Sequence, residues 1–260
     1  MGKSKIAYIR NLCRKSLAIL FWLFLWEIIS RCVNQEILLV SPVIVLSTIV
    51  ELSKDLSFWG TILFSSGRIL VGFIMAIVVG VLMAILSYGS EFLKELITPL
   101  MKVIKAAPVA SFIILALIWI RAKNLSVLIS FLMVIPMIYS NVLQGLYQTD
   151  RKLLEMAKVF RIGKLRQVKT IYLPAVMPYF ASACSVGLGF SFKAGIAAEV
   201  IGIPSGSIGE RLYEAKLYFM TKELLAWSII IIIVSMVFEK LVMLLFGKLP
   251  FAAKNTKESD

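Results

Sequence analysis

Apolar stretches long enough to cross a membrane dominate this chain and constrain its fold more than any other feature. Residues 70–90 and residues 125–147 contain no charged side chain. A helix needs about 20 predominantly apolar residues to span a hydrocarbon core of about 30 Å. Hydrophobic residues make up 60% of the 260, and the mean hydropathy is +0.90, so several spans fit. The sequence therefore predicts an all-α, polytopic membrane protein.

Six such stretches predict six transmembrane helices. Pro99 and Pro108 interrupt the third stretch, where we expect a kink. The first stretch follows a basic N-terminus, as in a signal peptide. No small-x-small cleavage site follows it, and Arg31 before Cys32 disrupts a lipoprotein-type site, so we expect an uncleaved span. The six spans are expected at about 17–29, 61–88, 97–120, 125–147, 174 to at least 192, and 224–246.

The formal net charge of +13 is carried by basic residues in short connections between the apolar stretches. Residues 150–173 hold seven basic side chains against two acidic ones, whereas residues 34–60 hold three acidic and one basic. By the positive-inside rule the first segment is cytoplasmic and the second is outside. Two basic residues within 121–124 run against this rule. Six spans then place both termini in the cytoplasm. The basic charge therefore indicates a protein surrounded by membrane lipid, and no nucleic-acid partner is expected.

Several chemistries are excluded by the residues that the sequence lacks. It has no histidine, so neither histidine acid–base catalysis nor histidine-ligated metal is available. Its three cysteines, Cys13, Cys32 and Cys184, are too widely spaced for a metal site or a disulfide framework. No phosphate-binding loop of the form G-x-x-x-x-G-K-[ST] occurs, so we expect no ATP hydrolysis by this chain. We also expect no bound metal and no second domain.

The polar segment between the fourth and fifth spans predicts a short amphipathic helix. Asp150 can cap its first turn, and Gly163 is a natural stop in the left-handed conformation. Pro174 then suits the first turn of the following helix. The apolar side chains at helical spacing have no span to cover them, so we expect this helix to dock on a partner. They are Leu153, Met156, Ala157 and Phe160, opposite Arg151, Glu155 and Lys158.

The same segment resembles the EAA motif, the cytoplasmic coupling loop of ABC-importer permease subunits. The matching positions are Glu155, Ala157, Ile171, Leu173 and Pro174. The motif here has two departures, since methionine replaces the first alanine and an arginine stands where a glycine is usual. The stretches SSGRILVGF, KAAPVASFIILALIW and KAGIAAEVIG are similar to permeases of the nitrate/sulfonate/taurine import branch. The resemblance therefore covers about 65–246.

This resemblance implies the type I ABC importer permease fold, as one permease domain over 1–260 with a core at about 61–246 and a coupling loop at 148–173. It implies a separate ATPase that binds ATP and Mg²⁺, an extracytoplasmic solute-binding protein and a second permease copy, which we expect to form a homodimer. The chain itself is then neither an enzyme nor a cofactor carrier. The residues expected to couple it to the ATPase are Leu153, Glu155, Met156, Ala157, Phe160, Gly163, Leu173 and Pro174.

Ionisable residues within the apolar stretches are candidates for the translocation path, because a charge in a membrane is costly. Arg68 and Lys193 together can attract an anion, so we expect them, with Glu199, along the path of a small anionic solute. Arg68 can instead extend its head group to the interface, and Glu199 can serve as a structural partner for a base. Glu27 can pair with Arg31 one turn later.

Three other functions stay open at this point. A vitamin precursor or another small organic solute can be the cargo of an importer with the same architecture. A stand-alone secondary transporter is disfavoured, since the sequence shows no inverted repeat and no acidic ion site in the middle of a span. An intramembrane enzyme is disfavoured by the lack of histidine, of metal-ligand clusters and of a Ser/Lys pair on one span.

Overall fold

Helices account for the regular structure of this chain. The structure, a computed structural model, describes residues 2–247, and no strand occurs among them. The helices are α1 Gly2–Val33, α2 Pro42–Ser53, α3 Leu56–Gly89, α4 Glu91–Ala106, α5 Val109–Trp119, α6 Ala122–Tyr147, α7 Arg151–Val159, α8 Lys164–Gln167, α9 Leu173–Gly202, α10 Ile208–Leu217 and α11 Thr221–Gly247, with a π-helical turn, Val168–Tyr172, between α8 and α9.

Five helical segments are long and apolar enough to cross a membrane, and α4 with α5 forms a sixth if this bent pair counts as one span. The predicted all-α, six-span fold is confirmed in this sense. The five segments are Ser16–Val33, Leu56–Gly89, Ala122–Tyr147, Lys164–Gly202 and Thr221–Leu244.

The third span differs from the kinked helix that was expected. Its two halves, α4 and α5, meet at an angle of 104°. Pro108 supplies no backbone N–H, and the residue before a proline favours extended backbone, which Ala107 adopts with ψ 140°. The break therefore lies at this proline, whereas Pro99 stays inside α4.

The fifth span begins ten residues earlier than predicted. Helical structure runs without a gap from Lys164 to Gly202, and Pro174 lies in the first turn of α9, as predicted. The π-helical turn just before it brings the N–H of Leu173 to the carbonyl of Val168. A wider turn of this kind lets a continuous helix accommodate a proline that cannot donate.

The helices pack as two compact units, one formed by the described residues of Met1–Trp59 and Arg211–Ile230, the other by those of Gly60–Glu210 and Ile231–Asp260. The single permease domain expected over 1–260 stays a prediction. In the first unit, Val40, Val45 and Ala226 form the buried core. The hydroxyl of Thr221 donates to the carbonyl of Ile37 at 2.6 Å, which ties the start of α11 to the loop before α2.

The second unit is built around α6 and α9, which pack closely along their length. A Cβ at Gly195 of α9 would lie 2.6 Å from Ile69 Cγ1 and 2.7 Å from Ser130 Oγ, so only glycine allows this approach of three helices. Leu125 and Ile129 of α6 are fully buried there. This close packing fixes α9, and with it the side chains that α9 presents to a cavity.

Candidate functional site

The predicted docking helix is present as α7. A side chain caps its first turn, and backbone hydrogen bonds close its last turn. Asp150 caps the first turn, accepting from the N–H of Lys152 at 2.8 Å, as expected. At the other end, the N–H of Ile162 donates to the carbonyl of Ala157 at 2.8 Å, closing a Schellman motif. The left-handed residue of that motif is Arg161, with φ 49°.

Gly163 does not have the role that the sequence predicted for it. Its φ is −61°, and it precedes α8 instead of ending α7. The left-handed residue is Arg161, the position at which the resembled motif usually carries glycine. The expectation of a left-handed Gly163 is therefore wrong, and α7 ends on an L-residue in a backbone conformation that costs about 1–2 kcal/mol.

The apolar face of α7 is open to solvent in this chain. The exposed fraction is 43% for Leu153 and Met156, 78% for Val159 and 73% for Phe160. Ala157 is fully buried, so its expected place in the exposed stripe is wrong, and it supports the helix from the inner side. Sequence reasoning missed Val159, although it lies three residues after Met156 and so shares its face.

The segment after α7 connects this exposed face to the spans. Gln167 Nε2 donates to the carbonyl of Ile162 at 2.6 Å, which holds α8 against the end of α7. Tyr172, at the end of the π-helical turn, lies 5.9 Å from Tyr88 between ring centroids. Leu173 is 39% exposed beside it. Glu155 is exposed on α7 as well.

A cavity of about 550 Å³ lies in the second unit, where α4, α5, α6 and α9 meet. Lys193 lines it, as does Lys105, a residue that sequence reasoning did not single out. The signal was present, since Lys105 directly precedes the AAP sequence at which the third span breaks. The Nζ atom of Lys193 lies 5.8 Å from the ring centroid of Phe190, which also lines the cavity. Two lysines therefore line a largely apolar cavity.

The other two predicted path residues do not line this cavity. Arg68 Nη2 donates to Asn124 Oδ1 at 3.0 Å, and its guanidinium lies 4.6 Å from the ring centroid of Phe64. Glu199 is fully buried and accepts from Ser65 Oγ at 2.7 Å. The structure thus separates Lys193 from both of them, and a path role for Arg68 and Glu199 stays a prediction.

Glu199 holds the beginning of α10 in place. Its Oε2 also accepts from the N–H of Gly209 at 3.4 Å, while Ser65 Oγ accepts from the N–H of Ile208 at 2.9 Å. The first N–H groups of a helix have no partner within the helix, so these two side chains cap α10 from α9 and α3. Among the residues whose side chains the structure describes, no base lies within ion-pair distance of Glu199.

Glu27 makes the local ion pair with Arg31 that their spacing on the helix predicts. Its Oε1 lies 2.7 Å from Arg31 Nε, one turn later on α1. Its Oε2 accepts from Ser41 Oγ at 2.5 Å, and Ser41 is the N-cap of α2. Glu27 therefore connects α1 to α2.

Comparison of the sequence with known proteins identifies one family. The family model described as "Binding-protein-dependent transport system inner membrane component" matches residues 76–250. The chain is 26% identical over 227 residues to a putative aliphatic sulfonates transport permease protein of Bacillus subtilis, covering 86% of this chain and 82% of the relative.

Two further relatives are named for other solutes. A nitrate import permease protein of Synechocystis sp. is 27% identical over 245 residues, covering 90% of this chain and 88% of the relative. A formylaminopyrimidine transport permease protein of Halalkalibacterium halodurans is 23% identical over 192 residues, covering 74% of this chain and 76% of the relative.

Proposed function

Because this chain belongs to the family of binding-protein-dependent transport system inner membrane components, we propose that it forms part of the translocation path of an ATP-driven importer for a small anionic solute. In this proposal an extracytoplasmic binding protein delivers the solute. A separate ATPase binds ATP and Mg²⁺ and supplies the energy. The chain is a multi-pass membrane protein of a transport permease family, and permease subunits are not themselves enzymes.

The exposed apolar face of α7 is the observation that carries the proposal. Met156, Val159 and Phe160 present apolar surface on a helix that lies outside the candidate spans. Fully burying one such side chain contributes about 1.5–3 kcal/mol, so a partner that covers three of them gains a stable contact. The basic residues on the same segment can steer an acidic rim towards it. We assign this face to the ATPase.

Orientation follows from this assignment. The ATPase is cytoplasmic, so α7 lies on the cytoplasmic side, in agreement with its seven basic neighbours within 150–173. An even number of spans then places both termini in the cytoplasm, and the connection between α1 and α3 lies outside. This orientation is part of the proposal.

The residues that line the cavity favour an anionic solute. Lys105 and Lys193 both line it and carry positive charge, and nitrate and sulfonates, which two relatives are named for, are anions. A neutral or weakly polar vitamin precursor is the second candidate. It is favoured by the apolar remainder of the cavity wall, with Met133, Met137 and Phe190, and by the relative named for formylaminopyrimidine.

A second copy of the chain is expected to complete the path. Lys105 and Lys193 belong to candidate spans, and both are exposed on the single chain. Charged side chains within spans face a protein interior or a water-filled cavity, because contact with lipid is costly. A homodimer that encloses this face would remove the lysines from lipid and form a passage between the two copies.

The test compares two phenylalanines that are equally exposed. Phe160→Asp places a carboxylate in the proposed ATPase contact, and we expect it to abolish co-purification with the ATPase, since an unpaired buried charge costs several kcal/mol. Phe219, also 73% exposed, lies between α10 and α11, so Phe219→Asp is the matched control and should co-purify normally. Normal co-purification and transport by Phe160→Asp would exclude α7 as the coupling site.

A further inference from the structure

A groove in the second unit lies where α3, α5 and α6 meet, and it shares no lining residue with the cavity described above. Its volume is about 690 Å³, and the proposed transport function gives it no role. Arg121 and Asn124 are the polar residues that line it. The apolar side chains of its wall include Val71, Met75, Trp119, Val127 and Phe131. A ligand of this groove is therefore largely apolar, with one polar part.

The polar residues lie at the end of the groove where α6 begins. This helix has 26 residues and so is about 39 Å long, which exceeds the hydrocarbon core of about 30 Å. Its first residues, and Arg121 just before them, therefore reach the head-group region of a bilayer. Phe131 follows Asn124 by two turns of α6, about 10 Å deeper. The groove thus runs from the head groups into the hydrocarbon layer.

Hydrogen-bond donors collect at this polar end without a counter-ion from the chain. Arg68 of α3 donates from Nη2 to Asn124 Oδ1 at 3.0 Å, so the amide nitrogen of Asn124 stays available as a donor to a ligand. Arg121 lies one turn before Asn124 on the same helix. Among the side chains that the structure describes, no acid lies within ion-pair distance of Arg68 or Arg121. This end therefore suits an anionic group.

Arg121 and Lys123 are also the two basic residues that run against the positive-inside rule. In the proposed orientation α6 begins outside, where basic residues are depleted. A negatively charged partner at the head-group level would account for Arg121, which lines the groove. Lys123 does not line it and serves below as a control.

The groove and the cavity lie on roughly opposite faces of α6. Asn124, Leu128 and Phe131 line the groove at helical spacing. Met133 and Ser140 line the cavity, and at 3.6 residues per turn they point away from that face. A second copy that encloses the cavity, as proposed above, therefore leaves the groove open to the bilayer.

We propose that the groove binds an anionic phospholipid of the surrounding bilayer, with its phosphate at Arg121 and Asn124 and one acyl chain along the apolar wall. Hydrogen bonds from a guanidinium to phosphate oxygens are charge-assisted, and basic pockets between spans bind anionic head groups. Trp119 is 75% exposed, and its ring suits the level of the head groups. Met75 and Phe131 lie deeper, where an acyl chain gains from contact with them.

Native mass spectrometry measures the selectivity on the full, unchanged chain. The detergent-purified chain is titrated with phosphatidylglycerol and with phosphatidylcholine that carry identical acyl chains, and the Kd of the first bound lipid is compared. Both head groups contain a phosphate, but only phosphatidylglycerol has a net negative charge. We expect phosphatidylglycerol to bind about tenfold more tightly.

Variants at exposed positions separate the head-group contact from the acyl-chain contact. Arg121→Gln should weaken binding of phosphatidylglycerol about tenfold and remove its preference, because a charge-assisted hydrogen bond is lost. Val71→Phe should weaken binding of both lipids equally, since a larger side chain fills the groove and leaves its charge unchanged. Lys123→Gln is the matched control, which removes one charge outside the groove and should bind both lipids as the unchanged chain does.

A phosphatidylglycerol with a photoreactive diazirine in its acyl chain locates the site in nanodiscs. We expect cross-links to residues 71–75 and 127–131. Cross-links confined to other segments would exclude the groove, and their loss when two copies associate would assign it to the interface between copies. Equal affinity for the two lipids would overturn the proposal, as would equal losses in Arg121→Gln and Lys123→Gln. Displacement of the lipid by excess inorganic phosphate would assign the basic end to a free anion instead.

Discussion

Replacing Glu199 tests whether its buried carboxylate is needed as a hydrogen-bond acceptor. The side chain is fully buried and accepts from Ser65 Oγ and from the N–H of Gly209. Glu199→Ala leaves both donors without a partner inside the protein. A buried donor left unsatisfied costs about 1–3 kcal/mol, so two cost about 2–6 kcal/mol before the cavity is counted. We expect this variant to unfold at a clearly lower temperature than the unchanged chain.

Glu199→Gln separates the acceptor from the charge. Its amide oxygen can still accept from Ser65 and Gly209, and its amide nitrogen takes the position of Oε1. Ser126 lies within hydrogen-bond reach of the Glu199 side chain, and its Oγ can accept from that nitrogen. We therefore expect Glu199→Gln to lose no more than about 1 kcal/mol.

Thermal unfolding in detergent, followed by size-exclusion chromatography, measures the difference. A loss of 3 kcal/mol corresponds to a fall in Tm of roughly 6–12 °C for a chain of this size. Gly209→Ala should show a similar fall, because its new Cβ would meet the backbone of Glu199. Glu36→Ala, at an exposed acid, is the control and should not change Tm. If the Tm of Glu199→Gln falls as far as that of Glu199→Ala, the charge of Glu199 stabilises α10, and its role as a hydrogen-bond acceptor does not.

Two further predictions concern the coupling segment and the orientation. Arg161→Gly should raise Tm by about 2–4 °C, since glycine removes about 1 kcal/mol of left-handed strain; an equal rise in Arg161→Ala, which keeps the strain, would contradict this reason. In a background without native cysteines, Lys54→Cys and Lys216→Cys should react with an impermeant maleimide from outside, and Lys164→Cys only after permeabilisation; labelling of position 164 in intact cells would refute the proposed orientation.

Features that depend on local sequence were predictable. Stretches of apolar residues gave the approximate positions of the spans, because a helix must be long and apolar to cross a membrane. The cap at Asp150 and the helical spacing of the apolar residues after it predicted α7. The resembled motif contains the signal for the end of α7, since its usual glycine falls at Arg161, whereas residue type alone favours Gly163 as the stop.

Features that depend on contacts between distant residues were not predictable in the same way. Ser65 and Glu199 are 134 positions apart, and their hydrogen bond exists only because α3 and α9 pack together. Lys105 joins Lys193 in one cavity because the third span breaks by 104° instead of bending gently. Ala157 has the spacing of the exposed stripe, yet the packing of α7 turns it inward. A helical period fixes which residues share a face, but not where that face ends.

An aromatic cluster offers a route by which movement of α7 can reach the broken span. Tyr88, in the last turn of α3, lies 5.4 Å from Tyr147 at the end of α6 and 5.9 Å from Tyr172 after the coupling segment. Lys94 of α4 lies 4.9 Å from the ring centroid of Tyr147. Aromatic pairs contribute about 0.5–1.5 kcal/mol each beyond the area they bury. The two ring pairs at Tyr88 together contribute about 1–3 kcal/mol, which is the usual size of the coupling free energy between two sites.

We therefore expect Tyr88→Ala to bind the ATPase normally and to lose the stimulation of ATP hydrolysis by the solute-loaded binding protein. Tyr88→Phe keeps both ring contacts and is the matched control, with stimulation close to that of the unchanged chain. The measurement is ATP hydrolysis by the reconstituted complex, with and without the loaded binding protein. Full stimulation in Tyr88→Ala would exclude this route, and equal loss in both variants would assign the effect to the hydroxyl group, because the ring contacts survive in only one of them.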